Sequence, residues 1–114
     1  MLAVHATDLH QVVSGFQGRV LVDGVQKYAT GTNRDLWRMT AAAPAAQFGV
    51  TWRDRAYDDS TAIWFSPLVC TATNWYGTAA VAAMRDAGAP MVWWGTPACN
   101  GLGESWVRLE IRVP

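Results

Sequence analysis

The chain closes with Trp106-Val107-Arg108-Leu109-Glu110-Ile111-Arg112-Val113-Pro114, the stretch with its clearest structural pattern. Apolar and charged residues alternate there with a period of two, the spacing of a β-strand that turns one face toward a core. The apolar face carries Val107, Leu109, Ile111 and Val113. The opposite face carries Arg108, Glu110 and Arg112. We therefore expect a strand whose apolar face is buried and whose charged face meets solvent.

Other short segments of β type recur along the chain. The pattern predicts strands over residues 2–7, 19–22, 25–29, 36–40 and 91–94, and a further short one over residues 48–52. Asp23-Gly24 separates two of them and is a strong hairpin signal. Only residues 78–88 favour a helix, which Gly88 would end. These features predict an all-β antiparallel sandwich with at most one short helix.

Length and charge bound the possibilities further. With 114 residues the chain forms one domain at most, spanning 1–114. Its formal net charge is +0, and it has no basic stripe, so the sequence indicates no nucleic-acid partner. No polybasic patch, long apolar run or signal peptide is visible, so it indicates no membrane partner either.

Aromatic residues are the main candidates for ligand contacts. Seven tryptophans are present, and a tryptophan ring suits either a small core or stacking against a sugar. Asn74-Trp75-Tyr76 lies in a polar, glycine-ended segment, where rings can remain exposed beside an amide donor. In a strand, Trp93 and Trp94 would point to opposite faces, one into the core and one outward. We expect any ligand-binding site to use Trp75, Tyr76, Asn74 and Trp94.

No catalytic group of residues stands out. A glycosidase needs two carboxylates facing each other across a cleft, and the spacing of the acidic residues selects no such pair. A set of Ser14, His10 and Asp8 lacks the turn motif that activates a serine nucleophile. We therefore predict no catalytic residue and no cofactor, and hence no enzyme.

Two groups of residues could in principle hold a metal. His5, Asp8 and His10 have suitable chemistry for zinc, but no further ligand lies near them in the sequence. Asp54, Asp58 and Asp59 could offer oxygen ligands to calcium, but Arg53 and Arg55 stand among them. We therefore predict no metal site and expect Asp58 and Asp59 to fix a turn.

Three segments resemble the galactose-binding-like jelly-roll modules attached to glycoside hydrolases, such as the accessory modules of α-L-rhamnosidases. Trp52-Arg53-Asp54-Arg55-Ala56-Tyr57-Asp58-Asp59-Ser60-Thr61, followed by Trp64, is similar to the segment that opens such a module. Leu2-Ala3-Val4-His5-Ala6-Thr7-Asp8 is similar to a late core strand, and residues 106–114 are similar to an early aromatic-x-Arg strand. The order implies the end of one module followed by the start of the next, and so a fragment of a larger multidomain protein.

The resemblance implies a jelly-roll-like sandwich that binds or positions carbohydrate without cleaving it, in a secreted or surface protein. Cys70 and Cys99 could form a disulfide or remain two buried thiols. An extracellular location would favour the disulfide. The expected partners are a glycan and neighbouring domains of the same protein. Two alternatives stay open: a purely structural or interaction module, and, with less support, a small glycoside hydrolase.

Overall fold

A computed structural model describes residues 1–7, 15–33, 35–70, 79–94, 99, 101 and 103–112. The elements in chain order are β1 (Leu2–Thr7), β2 (Arg19–Val22), β3 (Val25–Ala29), β4 (Trp37–Thr40), β5 (Leu68–Val69), α1 (Ala79–Asp86), β6 (Val92–Trp93) and β7 (Glu104–Leu109). Every strand pairing among these elements is antiparallel. The prediction of an all-β fold with one short helix is confirmed.

The central sheet has the order β1-β7-β4. Val107 in its middle strand lies opposite Val4 on one side and Met39 on the other. Leu109 is likewise flanked by Leu2 and Trp37. Because side chains alternate across a strand, this register places the apolar residues of all three strands on one face.

That face forms the main core with residues from the other two sheets. Met39 and Leu109 have no exposed surface, and Trp37 and Trp93 are 2% exposed. Each tryptophan N–H donates to a backbone carbonyl, that of Trp37 to Ala29 at 3.1 Å and that of Trp93 to Gly101 at 2.7 Å. Both rings are therefore buried without an unpaired donor, which would be costly.

The predicted hairpin has the predicted bounds. Strands β2 and β3 are joined by Asp23 (φ 51°) and Gly24 (φ 79°). Positive φ at both central residues is the requirement of the two-residue turn whose twist matches that of the strands. Asp and Gly tolerate this conformation better than other residues.

Helix α1 ends as its sequence predicts. Gly88 has φ 85°, its N–H donates to the carbonyl of Arg85 and the N–H of Ala89 donates to that of Met84, both at 2.9 Å. This pair of hydrogen bonds satisfies carbonyls at the end of the helix. No residue of α1 is fully buried, so the helix is held at the surface, partly by Gln17, whose amide donates to the carbonyl of Val81.

Cys70 and Cys99 form a disulfide, with Cα atoms 5.5 Å apart. Both residues are buried in the main core, where Cys70 also donates its N–H to the carbonyl of Met91. The bridge closes a loop with a sequence separation of 29. A disulfide that closes a loop of this length raises the free energy of unfolding by about 3–4 kcal/mol, because it restricts the unfolded chain. The disulfide alternative is confirmed, and that of two free thiols is wrong.

Two finer predictions differ from the structure. Strand β7 ends at Leu109, although the N–H of Glu110 still donates to the carbonyl of Leu36 at 3.0 Å. The chain then contacts the hairpin. The Tyr28 hydroxyl accepts from the N–H of Arg112 at 2.8 Å and donates to its carbonyl at 2.6 Å. Residues 48–52 do not form a strand. The described strands form sheets of three, two and two strands, and the jelly-roll arrangement stays a prediction.

Leu109→Ala should lower the free energy of unfolding by about 2–5 kcal/mol, because it leaves a cavity in the centre of the main core. Ile111→Ala should cost less, since Ile111 is only partly buried and lies beyond the end of β7. Urea denaturation measures both values. Arg112→Ala, an exposed control, should change stability least, and an effect as large as that of Leu109→Ala would show that the faces are wrongly assigned.

Candidate functional sites

The second face of the central sheet is covered, although we expected solvent there. Residues 44–66, which we call the covering segment, lie over it, and the segment is joined to β4 by two backbone hydrogen bonds between Met39 and Phe65. Tyr57 and Trp64 of the segment are buried together with Trp106 of β7. Arg108 is only 1% exposed. The prediction that Arg108 meets solvent is therefore wrong.

The Arg108 guanidinium is held by hydrogen bonds that it donates to acceptors of the covering segment. Its Nη1 donates to the Asp59 carboxylate at 2.6 Å and to the Tyr57 carbonyl at 3.2 Å. Its Nη2 donates to the Asp54 carbonyl at 2.9 Å. Burying an arginine is costly unless its charge is paired and its donors are satisfied. Both terminal nitrogens of Arg108 meet this requirement, while its buried Nε has no acceptor among the described residues. These three acceptors come from one short loop, so the guanidinium fixes the position of that loop over the sheet.

Aromatic rings complete the environment of Arg108. Its Cζ atom lies 5.1 Å from the ring centroid of Tyr57 and 5.9 Å from that of Trp64. The two rings meet edge to face, with centroids 6.0 Å apart. A guanidinium near an aromatic face is attracted by the ring quadrupole, more strongly when water is excluded. Arg108 thus organises both the polar and the aromatic parts of the cluster.

Asp58 and Asp59 have different roles, although the sequence suggested one shared role. Asp58 accepts from the hydroxyl and the N–H of Ser60, two residues on, as expected for a turn-forming aspartate. Asp59 instead binds Arg108 and lies 4.0 Å from the Nε of Arg38. Only Asp58 acts on the turn itself, while Asp59 ties the turn to the sheet.

Gln47 joins the beginning of the covering segment to its middle. Its Nε2 donates to the Asp58 carbonyl and its Oε1 accepts from the Asp58 N–H, both at 2.8 Å. The side chain thus pairs with a backbone residue as a neighbouring strand would. The residues around Gln47 are therefore fixed to the turn that Arg108 holds.

A tight turn follows Gln47 and presents an aromatic ring. Gln47 and Val50 exchange backbone hydrogen bonds of 2.9 and 2.8 Å, and the turn between them consists of Phe48 (φ 49°) and Gly49 (φ 83°). The left-handed region is unfavourable for a bulky residue such as phenylalanine. The Phe48 side chain is also fully exposed. Phe48 thus combines backbone strain with an exposed apolar surface.

A shallow pocket of about 270 Å³ lies in the same segment. Its lining residues are Pro44, Ala46, Thr51, Trp52 and Arg53. Trp52 is half-buried against the aromatic cluster, and the Arg53 guanidinium carbon lies 5.6 Å from its ring centroid. We call this site the Trp52 pocket. It offers an anchored indole beside a cation.

Most of the predicted ligand-binding residues lie outside the described part of the chain: Asn74, Trp75 and Tyr76. Trp94 is described and half-buried, packed partly against the main core. A Cβ atom at Gly101 would lie 2.6 Å from its indole ring, so this contact requires glycine. Trp93 is the core member of the pair, as predicted.

The histidine group is only partly described. His5 stacks on Trp106, with ring centroids 4.6 Å apart, and its Nε2 lies 3.2 Å from Glu104. Asp8 and His10 lie outside the described residues. Within the described ranges, no cluster of three or more histidine, cysteine or acidic residues could hold a metal.

Comparison of the chain with models of protein families, with curated proteins and with solved structures gives no match. Across the part of the chain that the structure describes, no helix has the length and apolar character needed to cross a membrane.

Arg108→Lys should lower the free energy of unfolding by roughly 3 kcal/mol or more, since a lysine cannot reproduce the planar set of donors and leaves buried carbonyls unpaired. Arg38→Lys is the matched control on the same face of the sheet. Its half-buried side chain makes weaker contacts, so its loss should be much smaller. Equal losses, measured by urea denaturation, would contradict the role assigned to Arg108.

The covering segment should also weaken in acid. Hydrogen bonds from the Thr51 N–H and hydroxyl lower the pKa of Asp54 below 3.8, and those from the Ser60 hydroxyl and N–H lower the pKa of Asp58 below the same value. As pH falls, the unfolded chain therefore binds more protons than the folded chain does. The stabilisation is therefore fully present above the unfolded pKa, near 4, and is lost as pH drops through the folded values.

Urea midpoints measured across this acid range test the effect. The double variant Asp54→Asn, Asp58→Asn should show a urea midpoint that depends less on pH than that of wild type. Ser60→Ala, which keeps the Asp58 carboxylate and removes its hydroxyl donor, should reduce this dependence on pH as well. Unchanged slopes in both variants would show that these hydrogen bonds do not carry the pH dependence.

Proposed function

We propose that the chain is a non-catalytic carbohydrate-binding accessory module of a secreted or surface protein. The observation that carries the proposal is Phe48, a fully exposed ring held in a strained turn. In the sequence, this turn lies between Ala46 and Thr51, two residues that line the Trp52 pocket. Natural sequences tend to retain strain of this kind at functional positions. A ring that no protein group covers is suited to a ligand with flat apolar faces.

The chemistry of the Trp52 pocket favours a sugar as that ligand. Pyranose rings present C–H groups to aromatic side chains and hydroxyls to polar ones. Trp52 supplies aromatic surface in the pocket, and Arg53 supplies a donor close to the indole. Phe48 supplies a further exposed ring from the neighbouring turn. The volume of about 270 Å³ is small for a ligand pocket, so we expect the bound group to be small, such as a single sugar residue.

The mechanism of binding would be stacking with little conformational change. Gln47, Asp54 and Asp58 fix the segment that presents Phe48 before any ligand arrives. A site fixed in advance loses less entropy on binding. Asn74, Trp75, Tyr76 and Trp94 stay in the proposal as further sugar contacts.

The resemblance to galactose-binding-like modules supports the same reading. Two of the three segments that carry it, the one with Asp58-Asp59-Ser60 and the aromatic-x-Arg strand, meet in this chain through Asp59 and Arg108. We would expect such a contact if the two segments had the same structural role in this chain as in those modules. The disulfide is compatible with an extracellular location, where such bridges persist.

A glycan array with wild type and Phe48→Asn tests the proposal. Asn-Gly is the preferred pair for this turn, so the substitution should relieve strain and raise the free energy of unfolding by about 1 kcal/mol. The same substitution should weaken glycan binding by about fivefold or more, as for loss of a stacking ring worth about 1 kcal/mol.

Two further variants sharpen the test. Trp75→Ala examines the contact predicted from sequence, and Ile63→Ala, an exposed aliphatic residue of the covering segment, serves as the control that should leave binding unchanged. A blank array on wild type would remove carbohydrate binding. Binding that survives Phe48→Asn but not Trp75→Ala would move the site away from the covering segment.

A further inference from the structure

The tip of the β2–β3 hairpin exposes aliphatic side chains where polar ones are usual. Leu21, Val22 and Val25 are all exposed, and Val22 and Val25 lie opposite each other across the hairpin. Both line a groove of about 490 Å³, which we call the hairpin groove. Its full lining is Val22, Asp23, Val25, Lys27, Tyr28, Ile111 and Arg112.

The walls of the groove are apolar and its polar atoms are mostly engaged. The Tyr28 hydroxyl is bonded to the backbone of Arg112 on both its donor and acceptor sides. The Arg112 guanidinium is paired with Glu110 at 3.2 and 3.4 Å. Two rim charges remain, Asp23 and Lys27, and neither has an ion-pair partner among the described residues.

The arrangement of these residues is self-complementary. A two-fold interface brings the same patch of two molecules together, so that residue i of one contacts residue j of the other and the reverse. Val25 lies midway in the sequence between the acidic Asp23 and the basic Lys27. A two-fold axis near Val25 would therefore place Asp23 of each copy beside Lys27 of the other, with the valines between them.

We propose that the hairpin groove is a symmetric interface with a second copy of this chain. Contact between the two apolar patches removes exposed aliphatic surface from water. The opposite charges at its two ends set the antiparallel register and disfavour a parallel one. A small apolar ligand could fill the groove but would leave both charges unpaired, so the second copy fits better.

Sedimentation velocity over a range of concentrations tests the proposal on the whole chain. Wild type should show a monomer–dimer equilibrium. Val25→Lys should raise the dissociation constant by about tenfold or more, because a valine is no longer buried and two like charges meet. Ile63→Lys, which places the same charge at another exposed aliphatic position, is the matched control and should leave the constant unchanged.

A charge series tests the register without altering the valines. Lys27→Asp should weaken the dimer, since it sets two acidic residues against each other. Adding Asp23→Asn to that variant removes the repulsion, keeps a residue that tolerates the turn, and should restore part of the affinity. Thermal melts confirm folding of each variant. A wild type that stays monomeric, or a dimer weakened as much by Ile63→Lys as by Val25→Lys, would overturn the proposal.

Discussion

The buried guanidinium of Arg108 is the interaction on which the second layer of this structure depends. The side chain leaves the middle strand of the central sheet and ends among the carbonyls of Tyr57 and Asp54 and the carboxylate of Asp59. Removing a charge from water costs several kcal/mol, and only good hydrogen-bond geometry offsets it. All three acceptors belong to one loop. The desolvation cost is therefore offset only when that loop is packed against the sheet.

The positions of the other parts of the covering segment depend on these hydrogen bonds to Arg108. Once Asp58 and its neighbours are fixed, Gln47 can pair with the Asp58 backbone and hold the far end of the segment. The turn at Phe48 is then presented on a rigid support, and Trp52 is anchored by its contact with the aromatic cluster. A polar interaction between the sheet and the covering segment thus determines the geometry of a surface that we propose to be functional.

Much of the fold could be predicted because local patterns decide it. The alternation of residues 2–7 and the Asp23-Gly24 pair specify strands and a turn without help from distant residues. Gly88 specifies the end of the helix for the same reason. The sequence could not show what covers the charged face of β7, since alternation separates two faces but does not say whether both are buried. Arg108 was therefore expected to meet solvent.

The site was harder to predict than the fold. Residues 48–52 have strand-like composition, and the signal for a turn was the single Gly49 after Phe48, which is weak when the residue before it is bulky. The division of roles between Asp58 and Asp59 depends on Arg108, which is separated from Asp59 by 49 positions in the sequence. Contacts over such separations come from the tertiary fold, and spacing within a motif does not reveal them.

A double-mutant cycle on Arg108 and Asp59 tests the central claim most directly. Free energies of unfolding for wild type, each alanine variant and the double variant give the coupling energy between the two side chains. Because the pair joins the covering segment to the sheet, we expect a favourable coupling of about 1–3 kcal/mol. An identical cycle on Arg108 and the helix residue Asp86 should be additive. Additivity in both cycles would contradict the claim that Arg108 holds the second layer in place.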